Sequence, residues 1–360
     1  MSQSPIPFAL TDLAQLRDLP FDEVIDVRAP AEFAEDHIPG ALSLPVLDDA
    51  QRAEVGTTYV QQSAFTARKM GAALIARNAA MHLETALADR TGGWQPLVYC
   101  WRGGQRSGAF ATILAQIGWR VRVIEGGYRS YRRLVVKALY DDDWPGRVVL
   151  IDGGTGTAKT ALLHKIAQFG GQIIDLEGLA GHMGSLFGKT SAGQPSQKLF
   201  ETRLAQVLGG IDPSQPVFVE AESNKIGDVL IPPGLWKAMR AAPSVRLNAP
   251  MDARARYLVE TYHDLTADPA RLAQTLESLR PFQGHAQVTA WQALARARDF
   301  EPLAQELMTM HYDPRYTKAG AGRRAPLAEM TLADMRPDTL ARTAEAIIAR
   351  VSAETDPVPG

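Results

Sequence analysis

Residues 97–110 read LVYCWRGGQRSGAF, and they contain Cys100, the only cysteine in a chain of 360 residues. A short apolar run of strand length leads into the thiol. A loop with two glycines and two arginines follows, and then RSGAFATILAQIGW, whose apolar spacing is helical. Strand, glycine-rich loop and helix in that order build a cradle for an anion. The helix start presents unpaired N–H groups. Gly103 and Gly104 let the backbone curl close without a Cβ. Arg102 and Arg106 add positive charge, and Arg106 falls where its fork could grip an oxyanion. Ser107 is placed to cap the helix. A free thiol ionises at about pH 8.5, and only the thiolate is a nucleophile. These surroundings favour the anion, so Cys100 is the candidate catalytic residue. A cysteine that only packs beside a glycine turn needs no such company. The Cys-x5-Arg spacing also occurs in cysteine phosphatases, but those usually place His before the Cys, and Tyr99 stands there.

Working outward, DEVIDVRAPAEFAEDHIPGALSLP reads as strand, short helix and turn, and RVRVIEGG as a further strand ending in glycines. Strand and helix alternate, which implies an α/β chain with a parallel sheet covered on both faces. YDDDWPGR (residues 140–147) is a polar break. The pattern restarts at VVLIDGGTGTAKTALL (148–163). The phosphate-loop pattern is G-x-x-x-x-G-K-[ST]. Gly153, Lys159 and Thr160 fit it, and Gly154, Thr155, Gly156 and Thr157 supply the loop between. Ala158 occupies the second glycine position, where its methyl narrows the approach of backbone to phosphate. Strand-end acids Asp175, Glu220 and Glu222 are candidates to hold magnesium or to pair locally. From about residue 250 the chain reads as mostly helical.

The net charge of −2 predicts no polyanion partner from bulk charge, so any nucleic-acid surface must be a local patch. Residues 119–137, WRVRVIEGGYRSYRRLVVK, form one: Arg120, Arg122, Arg129, Arg132, Arg133 and Lys137, interleaved with Trp119, Tyr128 and Tyr131. HYDPRYTKAGAGRR is a second, with His311, Arg315, Tyr316, Lys318, Arg323 and Arg324. One cysteine excludes an internal disulfide, a multi-cysteine metal site and a second thiol to resolve a mixed disulfide. No apolar run reaches the roughly 18 residues of a membrane span. MSQSPIPFALTDLAQ has no basic, then apolar, leader pattern, so a cytoplasmic location is expected.

VIDVRAPAEFAEDHIPGA, YCWRGGQRS and VIEGGYRSYR together resemble a rhodanese domain over residues 8–138. That resemblance implies that Cys100 carries a transferred chalcogen and that Asp26 and Arg28 belong to the frame. His37 is read as structural in the same way. Followed by DGGTGTAKT, IIDLEGLAGHMGSLFG, QPSQKLFE, VEAESNKIGDVLIPPGLWKAM and MHYDPRY, it resembles the bacterial tRNA 2-selenouridine synthases over about residues 8–320. The implied layout is a rhodanese-like domain (8–138), a P-loop-type α/β domain (147–250) and a helical C-terminal region packed on it (251–350). The implied activity converts wobble 2-thiouridine in a tRNA anticodon loop to 2-selenouridine through an S-geranyl intermediate. Geranyl diphosphate and selenophosphate are the substrates, magnesium is a possible cofactor and ATP is not required as a substrate. Cys100 would hold selenium as a selenyl-sulfide, and a selenophosphate-producing enzyme is a candidate partner. The apolar tail needs a slot, for which Leu179, Met183, Leu186 and Phe187 are candidates. His182 lies near this chemistry. Besides Ala158, the chain departs from the family pattern at Ala221 and Asn224, where Asp and Arg are expected. Two other readings stay open on the residues: a general rhodanese-type sulfurtransferase with a regulatory phosphate-binding domain, and a nucleotide-gated binding module.

Overall fold

The computed structural model describes residues 4–184, 187–188, 193–320 and 325–353. It divides into two compact units, residues 1–143 with 195–210 and residues 144–194 with 211–360. The first unit has strands β1 (Ile6–Phe8), β2 (Glu23–Asp26), β3 (Leu42–Ser43), β4 (Pro96–Tyr99) and β5 (Arg122–Ile124). They form one sheet in the order β1-β5-β4-β2-β3, and every pair is parallel. All four residues of β4 are buried. Their unbroken apolar run follows from helices covering both faces, which a parallel sheet requires. Ile25, Val98, Phe110 and Leu114 share the core of this unit. Because β4 lies between β2 and β5, its C-terminal end opens at the crevice where connections diverge, the usual place for a ligand in such sheets.

A buried ion pair braces this end of the sheet. The Arg28 guanidinium donates to both oxygens of Asp26, at 2.6–3.0 Å, and to the backbone oxygen of Asp36. It also lies 4.1 Å from the centre of the Tyr128 ring. His37 stacks on Phe33 and meets its carbonyl at 2.9 Å, a local packing role. The helix Gln197–Leu208, which lies inside the range expected for the phosphate-loop domain, belongs to this first unit. Its Thr202 accepts from the Tyr131 hydroxyl, and its buried Glu201 pairs with Arg132.

The second unit has β6 (Arg147–Gly153), β7 (Gln172–Ile174), β8 (Pro216–Glu220), a hairpin of β9 (Lys225–Ile226) and β10 (Val229–Leu230), β11 (Ser244–Asn248) and β12 (Ala328–Thr331). The main sheet runs β12-β11-β6-β8-β7, again all parallel. β6 is central and delivers its glycine loop at a second such crevice. The helices from Met251–Thr261 to Phe300–Leu307 form the C-terminal bundle, with Leu276, Leu279, Val288 and Trp291 fully buried in its core. One strand interrupts the helical reading of this region. β12 has the helix-favouring sequence AEMT, and pairing with β11 overrides that local preference.

Removing Asp26 would leave the Arg28 charge buried and unpaired. The Asp26→Ala variant is expected to lose about 3–5 kcal/mol in urea unfolding. A loss under 1 kcal/mol would show that the pair does not brace the sheet.

Candidate functional site

Cys100 follows directly on β4 and is only 4% exposed. The Ser107 hydroxyl donates to its Sγ at 3.1 Å and lies within 3.3 Å of the Gly104 carbonyl. Ser107 therefore serves the thiol rather than capping the helix Gln105–Ile117, whose cap position is Gly104. Among the described residues no side chain caps that helix start, so its first-turn N–H groups are available to an anion. Two loops clasp each other to make the cradle. The Tyr128 amide donates to the Cys100 carbonyl at 2.8 Å and the Arg129 amide to the Trp101 carbonyl at 3.2 Å. A Cβ on Gly127 would fall 2.2 Å from the Cys100 oxygen, and one on Gly103 would fall 2.6 Å from the Ile124 oxygen. Both glycines also have positive φ. Nothing approaches the Cβ position of Gly104, so the cradle is open there.

Arg106 is not the free fork the spacing suggested. It donates to both oxygens of Glu32, at 2.6 and 3.2 Å, and so ties the loop to the helix Pro30–Glu35. Burial pushes the Glu32 carboxyl up, but the bonds from Arg106 outweigh this and hold it below the usual range. Arg102 is exposed at the loop surface. Glu32 went unnoticed in the sequence because its partner lies 74 residues away.

The aromatic half of the arginine-rich patch needs correction. Trp119, Tyr128 and Tyr131 are buried and cannot stack an RNA base. Tyr128 donates to Asp36 at 2.7 Å, and Arg132 is engaged by Glu201 and Asp36. Helical spacing placed one side of Tyr128–Val136 in the core, and those rings are on it. Arg120, Arg129, Arg133 and Lys137 remain exposed, and Arg122 is half-buried. In the second patch His311 is buried. Burial and the neighbouring Arg315 push its pKa down to about 4, so it is neutral. Arg323, Arg324 and Leu186 lie outside the described residues.

In the second unit, residues 153–160 turn from β6 into the helix Lys159–Gln168. Gly156 has φ +83° and Ala158 has φ +57°, so the residue replacing glycine takes the left-handed conformation that favours glycine. The Lys159 ammonium rests on the Gly153 carbonyl at 3.2 Å. Arg254, missed in the sequence, steadies the loop from the helix Met251–Thr261. Its Nε donates to the Thr155 carbonyl at 2.8 Å, while its other nitrogens grip both oxygens of Asp313.

The loop forms one wall of an open cleft, lined also by His164, Glu177, Met183, Glu222 and Tyr257. The acids beneath it are tightly linked. Thr160 donates to Glu177 at 3.0 Å, and the Glu177 amide donates to Glu220 at 2.9 Å. Burial raises Glu220 well above the carboxylate range, and its second oxygen has no hydrogen-bond partner among the described residues. Glu177 and Glu222 hydrogen-bond to each other through their carboxyls. Desolvation pushes Glu222 up to about 7, against the pull of Lys159 and with the help of the Glu177 charge. Asp175 instead caps the helix Leu176–Ala180 and meets His164 at 3.0 Å. Among the described residues no group of three or more His, Cys, Asp or Glu side chains is arranged to hold a metal ion.

A second, apolar pocket adjoins the cleft and shares Thr155, Leu258, Tyr262 and Tyr312 with it. Its walls come mainly from the C-terminal helices, through Leu265, Leu272, Phe300, Leu303 and Leu307. Of the expected slot residues, Phe187 lines this pocket and Met183 the cleft, whereas Leu179 lines neither. His182 is buried beside the Leu176–Ala180 helix. No helix among the described residues is long and apolar enough to cross a membrane.

Comparison with known proteins matches residues 9–134 to the rhodanese-like domain family and residues 146–289 to the family of the tRNA 2-selenouridine synthase AAA domain. The tRNA 2-selenouridine synthase of Aeromonas salmonicida is 36% identical over 282 residues, covering 74% of this chain and 70% of that protein. That of Hahella chejuensis is 33% identical over 319 residues, covering 85% and 76%. The Nitrosomonas europaea protein of the same name is 34% identical, covering 72% and 67%.

The left-handed Ala158 sets a measurable cost. Ala158→Gly is expected to raise stability by about 0.5–1 kcal/mol in denaturant unfolding, the relief of strain exceeding the entropy that glycine adds to the unfolded chain. It should also tighten binding of inorganic diphosphate. Weaker diphosphate binding would mean that the alanine shapes the loop rather than straining it.

Proposed function

Since this chain belongs to the tRNA 2-selenouridine synthase family, we propose that it converts wobble 2-thiouridine in tRNA to 2-selenouridine in two steps, alkylation and then selenium exchange. The observation that carries this reading is the apolar pocket that continues from the phosphate cleft. A ligand with a diphosphate head and a hydrocarbon tail fits that pair, and geranyl diphosphate is such a ligand. The loop's N–H groups other than those of Gly153 and Thr157, which bond to Asp152 and to the Gly154 carbonyl, hold the diphosphate together with the Lys159 ammonium. The geranyl chain lies among Leu258, Phe300, Leu303 and Leu307, each buried methylene contributing about 0.8 kcal/mol. The thiocarbonyl sulfur attacks the allylic carbon, and diphosphate leaves with the bonding electrons. Held diphosphate charge makes it a better leaving group. ATP has no place in this reaction.

Alkylated sulfur is in turn a good leaving group. Selenium adds to C2 and geranylthiolate departs. Cys100 carries that selenium as a selenyl-sulfide, with selenophosphate as its source and a selenophosphate-producing enzyme as the supplier: an external disulfide takes the two electrons released as the S–Se bond forms and becomes two thiols, and water takes the phosphoryl group as phosphate. The helix start at Gly104 and the exposed Arg102 receive the phosphate end. Because Cys100 is the only cysteine, the selenyl-sulfide is resolved by a thiol from outside the chain. Arg120, Arg129, Arg133 and Lys137 meet the phosphates of the anticodon loop. The wobble base leaves its stack to react, which costs a few kcal/mol.

Incubation of the protein with 2-thiouridine tRNA, geranyl diphosphate and selenophosphate, followed by mass spectrometry of the nucleosides, tests the whole reading. S-geranyl-2-thiouridine and then 2-selenouridine are expected, and neither product appearing would overturn it. Cys100→Ser should stop selenation and spare alkylation. Lys159→Ala should slow alkylation on the order of 100-fold. Strong thiosulfate:cyanide activity without any change in tRNA would favour a general sulfurtransferase instead. Replacing both Arg129 and Arg133 by Ala should weaken tRNA binding and flatten its salt dependence by about two counterions. An unchanged salt slope would move the RNA surface elsewhere.

A further inference from the structure

We infer that Glu222, working with Glu177, is the general base of the alkylation step and takes the N3 proton of 2-thiouridine as its sulfur is alkylated. The inference rests on the geranyl-transfer reading above and assigns the proton that reading leaves over. Alkylation at sulfur turns the thioamide, N3–H with C2=S, into an imidothioate, N3=C2 with an S–C bond. The S–C bond forms, the C–O bond to diphosphate breaks and the leaving group keeps its electron pair. The N3–H electrons become the N3=C2 bond, and the proton must go to a base. Nothing is oxidised or reduced. Removing that proton early also makes the sulfur thiolate-like and a stronger nucleophile.

The geometry singles out one pair. Glu177 and Glu222 line the same cleft as residues 155–161, where the diphosphate would sit. Gly184 shows how closely the two carboxyls converge. A Cβ there would fall 2.5 Å from Glu177 Oε1 and 3.0 Å from Glu222 Oε2. With φ +61°, Gly184 has the backbone that allows this approach. The other groups facing the pair are less suited to the task. Glu220 is fully buried beneath it and does not line the cleft. Asp175 is committed to its helix cap and to His164. Tyr257, on the helix across the cleft, is pushed upward by burial and stays protonated. Lys159 supplies the positive charge that faces both acids.

Protonation fits the role. Two carboxyls in hydrogen-bond contact share a proton at acid pH and lose it together near neutrality. With Glu222 at about 7, the base is blocked below that pH and free above it. A base poised near the operating pH is the most effective kind.

The test is the single-turnover rate of S-geranyl-2-thiouridine formation as a function of pH. The wild-type rate should rise about tenfold per unit up to a bend near pH 7 and then level off. Glu222→Gln should lower the rate at neutral pH by about 100-fold or more and remove the bend. At alkaline pH, where N3 ionises unaided, that variant should recover much of the loss. Binding of inorganic diphosphate to Glu222→Gln, measured by calorimetry, should stay within about threefold of wild type and reports an intact loop. If the variant fails to bind diphosphate, Glu222→Asp decides: a slowed reaction that keeps the bend supports the assignment, and full speed without it overturns it. A Glu222→Gln variant with the wild-type rate, or one slowed but still bending near pH 7, also overturns it. A wild-type protein that never geranylates tRNA removes the underlying reading, and the assignment falls with it.

Discussion

A parallel strand that ends under the first turn of a helix brings backbone so close to backbone that a side chain has no room. Both candidate sites depend on this crowding. In the first unit the loop after β4 and the loop after β5 interlock through Gly103 and Gly127, and an added methyl at either would collide with a carbonyl. In the second, a Cβ on Gly153 would fall 2.6 Å from the Thr157 hydroxyl. What the crowding secures is a backbone turn that delivers the first-turn N–H groups of a helix to the end of a buried sheet. Such groups bind an anion without any charged side chain having to be ordered for it. Ala158 shows how hard the constraint presses. The loop keeps its left-handed turn even where the residue is not glycine.

Charge is then distributed differently in the two units. Around Cys100, Arg106 is neutralised by Glu32, and the thiol's direct partner is the Ser107 hydroxyl. The cradle therefore relies on dipoles and leaves its open side, at Gly104, to the incoming group. Beneath the phosphate loop, Glu177, Glu220 and Glu222 crowd together, with Lys159 as the counter-charge to Glu177 and Glu222. Burial and mutual repulsion keep protons on some of them near neutral pH. A site of that kind holds and moves protons. It sits beside an apolar pocket, so polar and apolar surroundings adjoin.

Long-range contacts changed the meaning of several residues without moving them along the chain. Arg106 became a buttress because Glu32 reaches it. Tyr128 and Tyr131 became core residues that carry hydroxyls to Asp36 and Thr202. Arg254 became a support of the phosphate loop, through the Thr155 carbonyl, about a hundred residues away in sequence. The helix Gln197–Leu208 folded with the unit that precedes the phosphate loop, although it follows that loop in the chain.

The sequence alone was enough for the two strand–glycine–helix turns, the parallel α/β character of both units, the position of Cys100 at the end of a buried strand and the Gly153–Thr160 loop. These are legible because each is written in a few consecutive residues, where apolar runs, glycines and helical spacing act locally. The tertiary structure decided which arginines are free, which aromatics are buried, that AEMT is a strand, and that helices from Met251 onward wall an apolar pocket beside the cleft. Those outcomes depend on which distant surfaces are pressed together, and burial and pairing across such distances leave no periodic trace in the chain.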